Sequence, residues 1–519
     1  MARAYEKSSK TFEEAVSLAG FGKFNLYVLV ASGGCLMCVI VETMCAMFIT
    51  PAAQCDLRLS LSDKGLLYAI SFLGVVSGSH LWGYLGDTKG RKTVTLWSLI
   101  CSAIISFIGS LVSLPWLFIM LRFLNGFFVG GPSAIIYAYA GEFNDNRFRP
   151  KVVSWIATFV AFGNMYLPGM AWLILPLEWS YEIPLINIMF RPWRLLVVIY
   201  ALPSIIFAIL LCSLPESPKY LISKGQHDEA LAILRKMYSV NTGKSQDEFP
   251  VSMITWEEDS DLHFEKERGI LRSMWEQTVP LFKKGYLLKT LMVSYLHFAI
   301  FFTSSAIIMW YPQILNSMAD YGKTAPLEEV TMCEAVRYDI GMDNETTAAK
   351  TYTLSRALAS KVCRDDVNEE VFLVSLLIGA SYAVSYVLIG TFINIIGARR
   401  LLMGFLLVTT TSGVFAQLLS GYTYIQVTLG IFLLVATGIG VVNAVIVDLY
   451  PTQIRGMALA VSLMFGRLGA MAGSNTAGYI MDSVCDYLFY IYAVIHALAI
   501  IIVLLLPSQE RKQVEVESS

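Results

Sequence analysis

Three ionisable residues interrupt long apolar stretches of this sequence: Glu42, Arg122 and Arg467. A charge inside such a stretch is costly and marks a functional candidate. A carboxylate there can take up and release a proton, and a guanidinium can pair with that carboxylate or bind an anionic group. These residue types predict proton coupling and anion recognition.

Glu42 and Arg122 are expected to lie at similar depths in their helices. At about 1.5 Å per residue, Glu42 lies roughly 13 Å from the helix end near Pro51. By the same rise, Arg122 lies roughly 9 Å from the end near Trp116. An ion pair is therefore feasible. One hypothesis is that Glu42 takes up a proton and releases Arg122, which couples transport to a proton gradient. The other is a static buried pair that positions the helices.

Arg467 lies about ten residues into its apolar stretch, roughly 15 Å deep. This depth is close to the midplane, where transporters bind their substrates. No carboxylate stands at the related position elsewhere in the chain, so Arg467 could meet an anionic group on a substrate. The alternative is that it pairs with a backbone carbonyl or another helix.

Apolar segments long enough to cross a membrane position these residues. The chain has 519 residues, of which 56% are hydrophobic and 15% are charged. Soluble proteins carry about 25% charged residues, so the composition excludes an ordinary soluble enzyme. Since a membrane helix needs about 20 residues, we predict twelve spans. They lie near 24–49, 65–83, 93–113, 116–140, 152–176, 193–214, 287–312, 371–394, 401–420, 425–447, 457–481 and 486–506.

The chain also repeats itself after about 306 residues. Gly83 and Gly90 follow the second span, and Gly390 and Gly397 follow the eighth with the same spacing. We therefore predict an all-α membrane protein whose twelve helices form two pseudo-symmetric six-helix bundles. The predicted bundles are residues 24–214 and 287–506. The remaining segments are an N-terminal segment (1–23), a loop with short helices (215–286), an outward loop (313–368) and a tail (507–519).

The distribution of basic residues predicts the orientation. The segments on the side of the termini contain 26 Lys and Arg residues, and those on the opposite side contain 10. Both termini are therefore expected in the cytoplasm. Phe12, Ala15, Val16 and Ala19 have helical spacing, which indicates a short interfacial helix before the first span.

The outward loop contains a sequon and two cysteines. Asn344 is a candidate glycosylation site on the outer side. Cys333 and Cys363 share the loop, where a disulfide is permitted, although spacing alone does not determine the pairing.

Charged motifs at the ends of related spans predict a cytoplasmic gate. Gly83, Asp87, Gly90 and Arg91 belong to the motif after the second span. We expect Glu142 to pair with Arg149, and Asp448 to pair with Arg455 at the equivalent position. Such pairs would close one side in one state and separate in the other. The alternative is that these charges are topology signals and surface ion pairs of little energetic value.

Other classes of function lack support in the sequence. The net charge of −2 does not indicate a nucleic-acid partner. The chain has no P-loop, no GxSxG, no HExxH and no CxxC…CxxC pattern. We therefore expect no enzyme activity, no cofactor and no metal.

The motifs resemble those of the major facilitator superfamily. Gly-Tyr-Leu-Gly-Asp-Thr-Lys-Gly-Arg-Lys at 83–92 is similar to its signature loop, and Arg122-x-x-Asn125-Gly126 to its fourth-helix motif. Pro-Glu-Ser-Pro-Lys at 215–219, which contains Glu216, resembles the sugar-porter sequence after the sixth helix. Met-Ala-Trp-Leu-Ile-Leu-Pro at 170–176, Pro-Trp-Arg at 192–194 and Trp-Tyr-Pro at 310–312 resemble the synaptic vesicle glycoprotein 2 branch, close to the organic-ion transporters.

This resemblance implies the major facilitator fold, in which helices one and four adjoin. It also adds Trp172 as a candidate substrate contact. The chain departs from the branch pattern at Val39, Ile439 and Asn443, and residues 313–368 are too few for the luminal domain of the vesicle glycoproteins. Further candidates with polar or aromatic groups are Asn164, Trp310, Tyr311 and Asn443; each is alternatively an interface anchor or a helix contact.

We expect a secondary transporter that moves a small organic solute, organic ion or sugar-like, by alternating access as a monomer in the lipid bilayer. The proton is the candidate coupling ion. The membrane is the plasma membrane or that of a secretory or synaptic-type vesicle. The alternative is a scaffold or receptor that does not transport. The degenerate second-half loop, with Asn394 and Ala398 in place of charged residues, favours that alternative.

Overall fold

The computed structural model describes residues 8–184, 188–255, 279–321, 331–340, 367–450 and 452–506. The N-terminal half contains β1 (Ser8–Thr11), α1 (Phe12–Ala19), α2 (Lys23–Met44), α3 (Ala46–Ala53), α4 (Leu61–Lys89), α5 (Arg91–Ser110), α6 (Pro115–Gly141), α7 (Arg149–Ala157), α8 (Phe159–Ile174), β2 (Tyr181–Ile183), β3 (Ile188–Phe190) and α9 (Pro192–Cys212). A middle segment contains α10 (Pro218–Ser223), α11 (His227–Thr242) and β4 (Val251–Thr255).

The C-terminal half is also helical. It contains α12 (Leu287–Tyr321), α13 (Met332–Ile340), α14 (Glu369–Ile396), α15 (Ala398–Leu418), α16 (Tyr422–Leu433), α17 (Gly438–Leu449), α18 (Thr452–Val484) and α19 (Leu488–Leu505). A short 3₁₀ turn, Leu434–Thr437, joins α16 and α17 into one span.

Ten helical segments of the described residues are long and apolar enough to cross a membrane. There are eleven if the two arms of α4, bent by 43° after Ser79, count as one span. One segment, Met457–Leu505, contains both α18 and α19. The structure is therefore consistent with the predicted twelve spans.

One helix from each half packs against the other along the bundle. Helices α4 and α18 run antiparallel, because Gly65 faces Asn475 at one end and Ser79 contacts Arg467 nearer the other. Lys89 and Thr452 therefore lie at the same end. We call this end the termini side, since Ser8 and Leu506 also lie there, and the opposite end the far side.

The predicted repeat is visible in the backbone. Each half turns from its second to its third span through a single glycine of positive φ, +104° at Gly90 and +87° at Gly397. Only glycine adopts these angles readily. The same device therefore joins α4 to α5 and α14 to α15.

The N-terminal segment and the middle segment form a small layer on the termini side. Strand β1 pairs in parallel with β4, and Ser8 is opposite Val251. The predicted short helix is α1, and its buried face, which includes Phe12 and Val16, packs against α11. The expected interfacial position is therefore wrong in one respect: protein, and not lipid, covers its apolar face.

The disulfide on the far side differs from the expected one. Cys333 is bonded to Cys485 and not to Cys363, which lies outside the described residues. Cys485 follows α18 in a short turn, against which α13 packs, and Arg337 Nη2 lies 2.6 Å from Asp486 Oδ2 beside it. The packing of α13 therefore selects the partner, which spacing along the chain could not do. The outward loop also starts later than predicted, because α12 continues to Tyr321.

Candidate functional site

Glu42 and Arg122 form the ion pair that their similar depths predict. Arg122 Nη1 lies 3.5 Å from Glu42 Oε2, and the two side chains are 1% and 0% exposed. Ser106 of α5 joins them: its hydroxyl donates to Glu42 Oε2 at 2.8 Å and accepts from Arg122 Nη2 at 3.1 Å. Helices α2, α5 and α6 thus meet around one buried carboxylate.

Asn125 extends this network within the N-terminal half. Its Nδ2 donates to Ser106 Oγ at 2.8 Å and to Ser102 Oγ at 3.0 Å. Charged groups buried in this way need compensating partners. Ser106 is such a partner for both charges, and Asn125 holds Ser106 in place.

The ion pair lies beside the point where α2 passes into α3. Cys45 separates the two helices but keeps helical backbone angles, so Lys23–Ala53 forms one span. Arg122 Nη1 donates to Cys45 Sγ at 3.1 Å. Met47, two residues beyond Cys45, lines the cavity between the halves. Arg122, which pairs with Glu42, thus also contacts the residue that precedes α3, the helix that borders the cavity.

That cavity has a volume of about 20 Å³, room for about one water molecule. Both halves line it: Met47, Asn164, Leu167 and Pro168 from the N-terminal half, and Ile308, Tyr311, Ser375, Ile378, Gly379, Tyr382 and Leu433 from the C-terminal half. The Tyr311 hydroxyl is buried and has no hydrogen-bond partner among the described residues. The predicted residues Asn164 and Tyr311 therefore lie on the same cavity, and a donor or acceptor there is unused.

Aromatic contacts close the far side of the cavity. The rings of Tyr68 and Trp310 pack edge to face with centroids 4.9 Å apart, and those of Phe48 and Phe372 lie 6.0 Å apart. Each pair joins one half to the other. Trp310, expected as a pocket residue, instead forms part of this seal and donates to the Ser474 carbonyl at 2.9 Å.

Arg467 crosses from the C-terminal half to the N-terminal half. Its Nη1 donates to Ser79 Oγ at 2.8 Å, and its Nη2 donates to Ser133 Oγ at 2.5 Å. Both partners are neutral hydroxyls. Neither partner is a carboxylate, so an anionic group would be a stronger partner for this guanidinium than either hydroxyl.

The charged motifs on the termini side pair differently from the prediction. Glu142 forms an ion pair with Arg91 and accepts a hydrogen bond from Ser217, so the predicted Glu142–Arg149 pair is wrong. Arg149 instead folds back onto the end of α6, where its Nε donates to the Gly141 carbonyl at 3.0 Å, and binds Glu13 at 2.7 Å. A cation at a helix C-terminus is favourable.

Glu216, which follows the sixth span, binds the end of the motif that follows the second span. Its carboxylate accepts from the backbone N–H of Lys92 at 2.9 Å and of Thr93 at 3.2 Å, at the start of α5. A Cβ on Gly90 would collide with this carboxylate. Asp87 lies 3.5 Å from Arg91, whereas Gly83 faces open space. These contacts join the N-terminal half to the start of the middle segment and do not cross the boundary between the halves.

Burial raises the pKa of the Glu142 carboxyl above its ordinary value, and the Arg91 charge opposes this rise. Glu142 lies just beyond the end of α6. A partly desolvated ion pair therefore holds α5 and α6 together at this end.

Several predicted residues take no part in the cavity. Trp172 lies one turn beyond Pro168 on α8, is 39% exposed and does not line it. Asn443 lies on α17 and is not among the lining residues. Asn344 and Cys363 lie outside the described residues, as do the side chains of Asp448 and Arg455.

The sequence did not indicate the hydroxyl groups of the site. Ser106, Ser79, Ser133 and Ser375 are each central to a contact or to the cavity. Serine in a membrane helix usually donates to its own helix, as Ser79 does to the Val75 carbonyl and Ser375 to the Val371 carbonyl. No spacing pattern identifies a serine that also contacts another helix or a cavity. The motif that contains Asn125 was the one available signal for the network.

Two family models cover most of the chain. The model for "Sugar (and other) transporter" matches residues 47–333, and that for "Major Facilitator Superfamily" matches residues 352–519. Human synaptic vesicle glycoprotein 2B is 30% identical over 336 residues, which are 61% of this chain and 49% of that protein. Synaptic vesicle glycoprotein 2A of Rattus norvegicus is 28% identical over 360 residues, 66% of this chain and 48% of that protein. The match spans about half the length of these relatives.

Solved structures agree on the fold. The xylose transporter XylE from E. coli, in an inward-open conformation, matches with a TM-score of 0.63 at 17% identity, over 92% of this chain and 95% of that one. The nucleoside transporter NupG matches with a TM-score of 0.56 at 13% identity, over 93% and 99%. At this identity the likeness shows the fold alone.

Proposed function

Since this chain belongs to the sugar (and other) transporter family of the major facilitator superfamily, we propose that it moves a small organic solute across a membrane by alternating access. The observation that carries the proposal is the contact between the halves on the far side. Tyr68 with Trp310, and Phe48 with Phe372, close one side of a cavity that both halves line. Rocking of the halves would open that side and close the other.

The coupling ion in this proposal is the proton. Glu42 takes it up, loses its attraction to Arg122, and frees the guanidinium, which then keeps its contact with Cys45. The contacts of Arg122 with Ser106 and Cys45 support this role, since both are available when Glu42 is neutral. The competing explanation is a pair that stays closed and holds α2, α5 and α6 together.

Uptake measurements on Glu42→Gln distinguish the two explanations. Purified protein in liposomes would be assayed with a solute found by a thermal-shift screen, across a range of external pH. If the proposal is correct, uptake by the wild type depends on the proton gradient and uptake by the variant does not. Unchanged pH dependence in the variant would falsify proton coupling through Glu42.

For the substrate, we propose an organic solute with an anionic group that binds Arg467. The support is the pairing of this cation with two neutral hydroxyls across the boundary between the halves. Asn164 and Tyr311 would bind polar groups elsewhere on the same solute.

We further propose that the termini side faces the cytoplasm, in a plasma membrane or a secretory-type vesicle. The excess of Lys and Arg on that side supports this orientation. Accessibility of Cys212, an exposed free cysteine at the end of α9, to a membrane-impermeant maleimide tests it. Labelling of intact cells from outside would contradict the assignment.

The second candidate is a scaffold or receptor that does not transport. It is favoured by the second-half turn: a Cβ on Gly397 would meet no described atom within 4 Å, whereas one on Gly90 would collide with Glu216. Gly65 and Asn475 face each other across the far side, so paired cysteines at these positions can lock it. Oxidation of Gly65→Cys/Asn475→Cys should stop uptake by a transporter, and reduction should restore it. A scaffold would retain partner binding in the oxidised form.

A further inference from the structure

A groove of about 480 Å³ lies between α12, α18 and α19, outside the cavity between the halves. Its walls include Leu291, Met292 and Phe298 of α12, Phe465 of α18 and Ile502 of α19. Volumes of this size are typical of ligand-binding pockets. The groove is almost wholly apolar, so its occupant must present hydrocarbon.

The length and place of the groove match one leaflet. Its lining begins at Leu288, one residue after α12 starts, and reaches Phe298. At about 1.5 Å per residue this is roughly 15 Å, half of a hydrocarbon core of about 30 Å. Leu288 and Leu291 are exposed, so the groove opens sideways from the bundle. An acyl chain of the leaflet on the termini side is about as long as the groove.

The mouth of the groove carries positive charge. Lys283 and Lys284 are exposed directly before α12, and the Lys283 carbonyl accepts from Leu287 N at 2.9 Å, so the chain already turns as a helix there. Lys284 therefore lies one turn before Leu288. No Asp or Glu occurs in Val279–Phe302, Thr452–Gly469 or Leu488–Leu506. A phosphate at the mouth would meet cations without a competing carboxylate.

The groove also contains a polar group without a partner. Ser294 lines it, is 4% exposed, and its hydroxyl makes no hydrogen bond among the described residues. A serine in a helix usually bonds to a carbonyl of its own helix. By helical rise Ser294 lies roughly 9 Å beyond Leu288, so this hydroxyl lies deep in the groove and takes no part in binding the headgroup.

We propose that this groove is a binding site for an anionic phospholipid of the leaflet on the termini side. One acyl chain fills the groove beside Met292 and Phe465, and the phosphate binds Lys283 and Lys284 at its mouth. The site is separate from the proposed substrate cavity, and its test does not require transport.

Native mass spectrometry of the full chain in detergent tests the site, with palmitoyl-oleoyl phosphatidylglycerol against the phosphatidylcholine of the same chains. We expect preferential retention of phosphatidylglycerol. Lys283→Gln/Lys284→Gln should weaken this preference by roughly tenfold or more, given about 1 kcal/mol per basic residue near an anionic surface. Met292→Trp, which fills the groove, should reduce retention of both lipids.

Matched controls are available in the chain. Lys244→Gln removes an exposed lysine far from the groove, and Leu498→Trp enlarges an exposed residue of α19 that does not line it. Both should bind lipid as the wild type does. Equal retention of the two lipids by the wild type would overturn the proposal, as would equal losses in Met292→Trp and Leu498→Trp. A dimer that protects Met292 from oxidation would instead assign the groove to a second copy of the chain.

Discussion

Arg467 Nη1 lies 2.8 Å from Ser79 Oγ, and this hydrogen bond joins the C-terminal half of the protein to the N-terminal half. The bond forms beside the 43° bend of α4. A bond between a guanidinium and a hydroxyl is weaker than one to a carboxylate. An anionic solute could therefore exchange with Ser79 and Ser133 as the partner of Arg467.

Removal of the Arg467 charge should affect anionic solutes selectively. Hydrogen bonds to charged groups contribute about 1.5–3 kcal/mol, so Arg467→Gln should raise the KM for an organic anion by about tenfold or more. Ser79→Ala is the control, because it removes the competing hydroxyl and leaves the cation. Uptake into liposomes measures both variants. An unchanged KM for the anion in Arg467→Gln would exclude this residue from substrate binding.

Loss of one partner of the buried ion pair should cost more than loss of both. Arg122→Gln leaves the Glu42 carboxylate buried without its cation, a change that costs about 3–5 kcal/mol in other proteins. Glu42→Gln/Arg122→Gln should recover much of this stability. Thermal unfolding of the purified variants in detergent measures it. Equal destabilisation by the single and double variants would show that the two residues are not coupled.

The two turn glycines form a matched pair for mutation. Alanine at Gly90 or Gly397 must adopt a positive φ, which costs about 1–3 kcal/mol. At Gly90 the new Cβ also displaces Glu216 from the start of α5, whereas at Gly397 it meets nothing within 4 Å. Gly90→Ala should therefore lower the unfolding temperature more than Gly397→Ala does. The reverse order would contradict the contact of Gly90 with Glu216.

The disulfide assignment can be checked by chemical labelling. Cys485→Ser should leave Cys333 as a free thiol that reacts with maleimide after mild unfolding, because Cys333 is 3% exposed in the folded protein. Cys363→Ser should leave the bond between Cys333 and Cys485 intact. Peptide mass spectrometry without reduction identifies the linked pair. A peptide that links Cys333 to Cys363 would restore the original expectation.

The raised pKa of Glu142 predicts a pH effect on stability. The pKa of Glu142 is higher in the folded state than in the unfolded state, so the folded protein binds this proton more tightly. Proton binding therefore stabilises the fold fully at a pH below the pKa of the unfolded state. This contribution is lost as the pH rises through the window between the unfolded and folded values. Stability of the wild type relative to Glu142→Gln should therefore fall through that window. Unfolding temperatures of both proteins in a series of buffers test the sign; a relative gain would mean that Arg91 outweighs burial.

Hydropathy and the internal repeat were sufficient to predict the fold. Each span needs a long apolar run, and the turns between spans require Gly90 and Gly397. Both signals depend on residues that are close together in the sequence. The pair of Glu42 and Arg122 was predictable for a similar reason, since a charge at a given depth needs a partner at that depth.

The errors concern partners chosen by tertiary packing. Glu142 pairs with Arg91 because α5 begins beside the end of α6, whereas Arg149 is nearer in sequence but is used by the Gly141 carbonyl and Glu13. The serine contacts of Arg467 were missed for the same reason. Sequence distance carries no information on which helices adjoin.

The parallel pairing of β1 with β4 sets an order for biosynthesis. Ser8 is opposite Val251, so the first strand cannot dock until the ribosome has made all six spans of the N-terminal half. At about 5–20 residues per second, the amino terminus waits tens of seconds for its partner. Completion of this two-stranded sheet therefore requires that the whole first bundle has been translated.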